Sequence, residues 1–223
     1  PSAAAPALLQ AGALTVTASD ASSAEATSVG ATIVASFAGG SSDSLSVTIG
    51  TALAENTLNN DVSAGLSNLA SGSSVASLTV GASRLQGDQP SLAATAVAVS
   101  VGASSGGSGF GIAVSGGGAG VTNTLLGDVN TSVSDVQLSS TGAITISSSA
   151  SQGASATVGS GAADISLNKG GGALEVGAVT TANLLGCTSD SGAASAQVGT
   201  SVSNSRLAST GSAADIKIGR AHV

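Results

Sequence analysis

Short apolar runs at period two recur along the chain, always in the same setting. Leu14-Thr15-Val16-Thr17, Leu78-Thr79-Val80, Ile144-Thr145-Ile146 and Ile216-Lys217-Ile218 each alternate an aliphatic residue with a polar one. Such alternation puts Leu14 and Val16 on one face of a β-strand and the threonines on the other. The runs start 64, 66 and 72 residues apart. Between them lie small-residue strands interrupted by glycine: 28–36, Gly39-Gly40 and 45–50; then 95–102, a glycine–serine run and 111–115; then 154–159, Gly170-Gly171-Gly172 and 173–177. The glycines supply tight turns and positive φ.

Each repeat also carries an asparagine after its second small-residue strand: Glu55-Asn56-Thr57, Thr122-Asn123-Thr124 and Ala182-Asn183-Leu184. Asparagine tolerates the left-handed region and bonds its own backbone at turns. Asn56, Asn123 and Asn183 are therefore expected at equivalent structural corners, with amides able to form a ladder between stacked layers. Helix competes only over 18–26 and 51–58. Elsewhere glycine, serine and β-branched residues without 3.6-residue spacing favour strand.

A long, variable period predicts a stacked array. The expected fold is all-β, a right-handed parallel β-helix (β-solenoid). Its single array spans 11–217, with irregular repeats at about 13–76, 77–142 and 143–213 and a fourth starting at 214. Residues 1–10 form an Ala-rich lead-in. Coils of roughly 20 residues, several per repeat, would give roughly ten coils and a rod on the order of 45–50 Å long. Val, Ile, Leu and Ala are expected inside and Ser, Thr and Asn outside, with Phe37 and Phe110 plugging corners of the core.

Composition narrows the function classes. The 223 residues are 42% hydrophobic, 8% charged and 1% aromatic, with 32 glycines. Disordered chains are poor in apolar residues and rich in charge, so this balance predicts a folded chain with a thin core of small side chains. The net charge is −7, with five Lys and Arg. That excludes the basic face that nucleic acid requires and disfavours anionic membrane surfaces. No run reaches the roughly 18 apolar residues of a membrane helix, so no membrane insertion is expected in this segment. Cys187 stands alone, without an internal disulfide partner. No signal peptide is visible, and the chain reads as an internal segment of a longer protein. Ile218-Gly219-Arg220-Ala221-His222-Val223 reads like one frame of a sequencing adapter, so 218–223 are expected to lie outside the array.

The order of parts resembles the passenger repeats of large bacterial surface adhesins. That order is an alternating strand, Ala/Val-Gly strands around a glycine run, x-Asn-Thr, then Asn/Asp-Ser-x-Val/Leu-x-Ser-x-Gly-x-Ile-x-Ile. These adhesins are the filamentous-haemagglutinin-like and autotransporter β-helix exoproteins. The resemblance covers most of 11–218; Leu184 after Asn183 and the loop 85–92 depart from it. It implies an extracellular or cell-surface location and a non-catalytic stalk role. Flanking repeats of the same longer chain would stack on this segment, and a surface glycan or protein of a host or neighbouring cell would be the partner.

Chemistry-bearing motifs are sparse. Asp88, Asp128, Asp164 and Asp190 fall in or near predicted turns, and a carboxylate pair for glycoside cleavage would be the enzymatic alternative. The run 116–120 lacks the aspartate of calcium-binding solenoid repeats, so no metal site is assigned. Gly106–Gly111 lacks the Lys-Ser/Thr of a phosphate loop, and no cofactor is expected. The only histidine, His222, cannot complete a serine triad from the doubtful tail. Thr15-Val16-Thr17 is the only clean Thr-x-Thr of the alternating runs, and Thr79 and Thr145 recur once per repeat instead of once per coil, too sparse a row for ice binding, which stands as a further alternative.

Overall fold

Both kinds of run become strands. The computed structural model describes residues 5–40, 42–87, 90–167, 171–186, 197–211 and 215–222, and among these it has no helix. The strands are β1 (Gln10–Asp20), β2 (Ala24–Ala38), β3 (Ser44–Asn59), β4 (Val62–Arg84), β5 (Leu92–Gly106), β6 (Gly111–Leu126), β7 (Val129–Ser140), β8 (Ile144–Ala150), β9 (Ala154–Ser166), β10 (Gly172–Leu185), β11 (Val198–Ser203), β12 (Arg206–Ser209) and β13 (Ile216–His222). The stretches where helix competed lie in or between β1 and β2 and within β3.

Every strand pairing is parallel and joins a strand to its counterpart one repeat away. Leu14 pairs with Leu78, Leu78 with Ile144, and Ile144 with Ile216. Three sheets result. One runs β11-β7-β4-β8-β13, with β1 also on β4 and β12 also on β7; the others are β2-β5-β9 and β3-β6-β10. This corrects the expected subdivision into short coils: one repeat is one rung, contributing to all three sheets. Strand length shows why, since β3 has 16 residues and β4 has 23, which a coil of about 20 residues cannot hold. At about 4.8 Å per rung, three to four rungs make a stack on the order of 15 Å deep instead of 45–50 Å.

The expected array boundaries shift as well. Ala7 bridges to Leu69 and Leu9 packs on the core, so the lead-in docks. At the other end β13 stays in register with β8 as far as His222 on Ala150. Parallel pairing uses backbone groups, and Gly219 falls in a small-residue column with Ser147.

The left-handed asparagine corner exists, but at another column. Asn68, Asp135 and Asn204 have φ of 67°, 55° and 47°, and Gly72 follows Asn68 at 92°. Their short polar side chains make the left-handed region accessible. The register shift between Leu69 and Ser73 bends β4 at this place. The first sheet folds on itself there and encloses a core that includes Val75, Leu78, Val80, Val136, Ile144 and Ile146. Thr131 ties the two arms: its Oγ1 accepts from Ala82 N–H at 2.9 Å and donates to Ser147 O at 2.8 Å.

The other two sheets lie face to face and reverse the expected side-chain orientation. Ser44, Ser46, Thr48, Ala52 and Ala54 of β3 are buried, while Leu45, Val47, Ile49 and Leu53 are 54–69% exposed. Val29, Ile33 and Phe37 of β2 are also exposed, and Phe110 stands out at 63%. Neither phenylalanine plugs a core. The cause is the closeness of the layers. A Cβ on Gly30 would overlap the Thr51 carbonyl, and one on Gly50 would sit 2.7 Å from Val99 O. Only Gly, Ala, Ser and Thr pack across such a gap at interior density, so the alternation turns its large residues outward. Ala94, Ala96, Ala98, Ala119 and Val121 complete this thin second core.

Candidate functional site

Asn56, Asn123 and Asn183 occupy one column of the β3–β6–β10 sheet, in register with one another. They sit inside strands, not at turns. Asn56 Nδ2 donates to Asn123 Oδ1 at 3.0 Å, and Asn123 Nδ2 to Asn183 Oδ1 at 2.8 Å. The same nitrogens reach across to the facing sheet, Asn56 to Ala93 O at 2.8 Å and Asn123 to Ser155 O at 2.9 Å. Asn123 is fully buried. The ladder therefore does two jobs: it stitches rungs together along the stack and clamps two sheets across it. It ends the laminate where Ala and Gly columns give way to Val121 and Leu125.

A second polar cluster was not foreseen in the sequence. Arg84 ends the inward row Leu78-Val80-Ala82 of β4 and is buried. Its Nη1 donates to Leu126 O at 3.1 Å and Gly127 O at 3.2 Å, and its Nε lies 3.8 Å from Asp20 Oδ2. Burial lowers the guanidinium pKa, while Asp20, Asp61 and Asp128 raise it. The Asp20 carboxyl is held below its ordinary value chiefly by the Ser22 hydroxyl, which donates to it at 2.5 Å. Gly127, at φ +98°, leaves the room: a Cβ there would lie 2.7 Å from Arg84 Nη2. The available signal was parity, since Arg84 stands at an even position in a row whose other even positions are core.

The aspartates singled out for chemistry have separate places. Asp128 Oδ1 accepts from Gln197 N–H, as Asp61 Oδ1 accepts from Asp128 N–H, so these turn carboxylates tie successive rungs. Asp164 is inside β9 instead of in a turn, and its Oδ2 accepts from Ser115 N–H across the laminate at 3.0 Å. Asp88, Asp190 and Cys187 lie outside the described residues. Among the described residues no three His, Cys, Asp or Glu side chains are grouped to hold a metal. Among the described residues no helix is long and apolar enough to cross a membrane.

The outer surfaces complete the picture. A shallow apolar groove of about 360 Å³ runs over Gly116 and Gly118, between Ile49 on one side and Val176 on the other. Threonines form outward columns on neighbouring rungs: Thr15, Thr79 and Thr145 on the first sheet, and Thr27, Thr95 and Thr157 on another. No protein-family model matches the chain, and no curated protein or solved structure is detectably similar to it.

Proposed function

We propose that this chain is a non-catalytic stalk segment of a large secreted or cell-surface adhesin. In this reading it is wound as a right-handed β-solenoid, and flanking repeats of the same longer chain stack on its two ends. The observation that carries the proposal is the register: among the described residues, every repeat lays each of its strands in parallel on the corresponding strand of the previous repeat. A unit that contacts only its neighbours along one axis extends by repetition, which suits a spacer holding a distal adhesive region away from a cell. The glycan- or protein-binding step belongs to that distal region. The test is made on intact cells carrying the parent chain. Antibody to this segment labels unpermeabilised cells, and external protease removes the signal; labelling only after lysis overturns the proposal. Handedness follows from an experimental density map.

The threonine columns favour a second reading. Because one repeat is one rung, Thr27, Thr95 and Thr157 stand about 4.8 Å apart, far closer together than a repeat of several coils allows. A regular hydroxyl row of this kind suits ice binding. Thermal hysteresis in a solution of the folded chain supports it, and its absence removes it.

A further inference from the structure

Both outer faces of the laminate are apolar. On the β2–β5–β9 face Val29, Ile33, Phe37, Val99, Ile165 and Leu167 are 41–78% exposed. On the β3–β6–β10 face Leu45, Val47, Ile49, Leu53, Leu174 and Val176 are 54–69% exposed. Each set presents on the order of 600–700 Å², above the largest apolar patch of most monomers and close to the roughly 800 Å² that each partner of a stable complex buries. The chain has a net charge of −7. Yet no outward position between Thr27 and Phe37, Thr95 and Ser105 or Thr157 and Leu167 is charged, nor any between Leu45 and Leu53, Ile112 and Gly120 or Gly172 and Thr180. Absence of charge marks the core of a protein–protein contact. Both faces run along the stack, so a rung added before or after lengthens them and leaves them open.

The two faces have opposite relief on the same rung. On the β3–β6–β10 face the column Ile49–Gly116–Val176 is low in its middle, and so is Thr51–Gly118–Ala178. This is the apolar groove of about 360 Å³. On the β2–β5–β9 face the column Ala31–Val99–Gly161 is high in its middle, and Val97 and Val101 continue the rise along β5. Two groove faces laid together in rung register would set glycine on glycine and leave a void, whose lining loses its dispersion contacts. The valine row of the other face fills the groove and lets the layers meet at interior density.

We propose that a second copy of this chain docks side by side with the first, its β2–β5–β9 outer face on the β3–β6–β10 outer face, with the Val97–Val99–Val101 row over Gly116 and Gly118. Two different surfaces meet, so the contact does not close on itself. Each pair keeps one free face of either kind, and laminates add layer on layer. In the stalk reading this bundles neighbouring stalks along their length. The docking itself rests on the two faces alone, and it stands or falls without that reading.

Sedimentation velocity of the full chain tests it, over concentrations up to about 100 µM. The expected result is mass growing past the dimer in steps of 20.4 kDa. Ile33→Lys blocks one face and Ile49→Lys the other. Both side chains are exposed, so the urea midpoint at low concentration should stay where it is. Each variant alone is expected to remain monomeric. An equimolar mixture of the two forms heterodimers, through the face that each retains, and nothing larger. Gly118→Val separates a fitted groove from general stickiness. Its Cβ meets nothing within 4 Å in its own chain, so it adds apolar surface while filling the groove. It is expected to weaken association about tenfold or more. A wild-type chain that stays monomeric throughout overturns the proposal. So does Ile33→Lys dimerising by itself, which would mean that a face meets its own kind. Gly118→Val associating as tightly as wild type, or more tightly, overturns it as well.

Discussion

Replacing Asn123 by alanine removes the middle of the ladder. The side chain makes three hydrogen bonds: it donates to Ser155 O and Asn183 Oδ1 and accepts from Asn56 Nδ2. Their partners fare differently. Asn56 Nδ2 keeps Ala93 O, and the Asn183 side chain lies at an exposed end of the column, where water replaces the lost donor. Ser155 O loses its side-chain donor and keeps the ladder bond from Ala94 N–H that the β5–β9 register gives it. With about 1 kcal/mol for each of the three exchanged bonds, the expected loss is about 3 kcal/mol. Asn130, exposed on the outer face of β7, provides the control, and Asn130→Ala should change stability by about 0.5 kcal/mol or less. Asn56→Ala removes two bonds and Asn183→Ala one, so the losses should rank Asn123 > Asn56 > Asn183. Urea midpoints at a concentration where the chain is monomeric measure all four. Equal, negligible shifts for Asn123→Ala and Asn130→Ala would refute the ladder as a source of stability. A larger loss at Asn183 than at Asn123 would refute the direction of its bonds.

Gly30→Ala should lower the thermal midpoint clearly, by about 1–3 kcal/mol of overpacking, because its Cβ meets the rigid Thr51 carbonyl; Gly118→Ala, whose Cβ meets nothing within 4 Å, should be nearly neutral. A null effect at Gly30 would mean that the two sheets stand further apart. Ser115→Ala should raise stability by about 1 kcal/mol, since its buried hydroxyl has no partner among the described residues; a loss in differential calorimetry would show that the hydroxyl is satisfied. The Asp20 carboxyl, held below its usual pKa of about 3.9 mainly by Ser22, contributes stability that is complete above that value and fades as pH falls through its lower folded-state value. Asp20→Asn should therefore flatten the acid limb of the stability profile below about pH 4, and an unchanged limb measured by urea titration would remove Asp20 from that role.

Two different features of the sequence carried information about the fold, and they did so unequally. The 64- to 72-residue spacing predicted which residues stack, and Leu14, Leu78, Ile144 and Ile216 do share a column. It could not say how many coils one period holds, because a period fixes the distance along the chain between stacked residues and leaves the path between them free. Alternation likewise gave two faces for each strand without labelling them. In β1 and β4 the aliphatic face is the inner one, since the folded sheet leaves room for Val80 and Ile146. In β3 the same alternation points Val47 and Ile49 outward, because the inner face meets another sheet too closely for branched side chains. The deciding residue was glycine: Gly30, Gly50 and Gly117 mark where two backbones approach, and each shares parity with the small residues of its strand. In β2 and β3 parity with glycine, more than hydrophobicity, separates inside from outside; β6 carries glycine on both faces, Gly117 inward and Gly116 and Gly118 outward. Asn56 shares the even parity of Gly50 and falls inside, and Asn123 follows it through the register. Arg84 shares parity with Leu78 and Val80, in a strand whose large residues turn inward, so its charge is carried into the interior and must find carbonyl partners there.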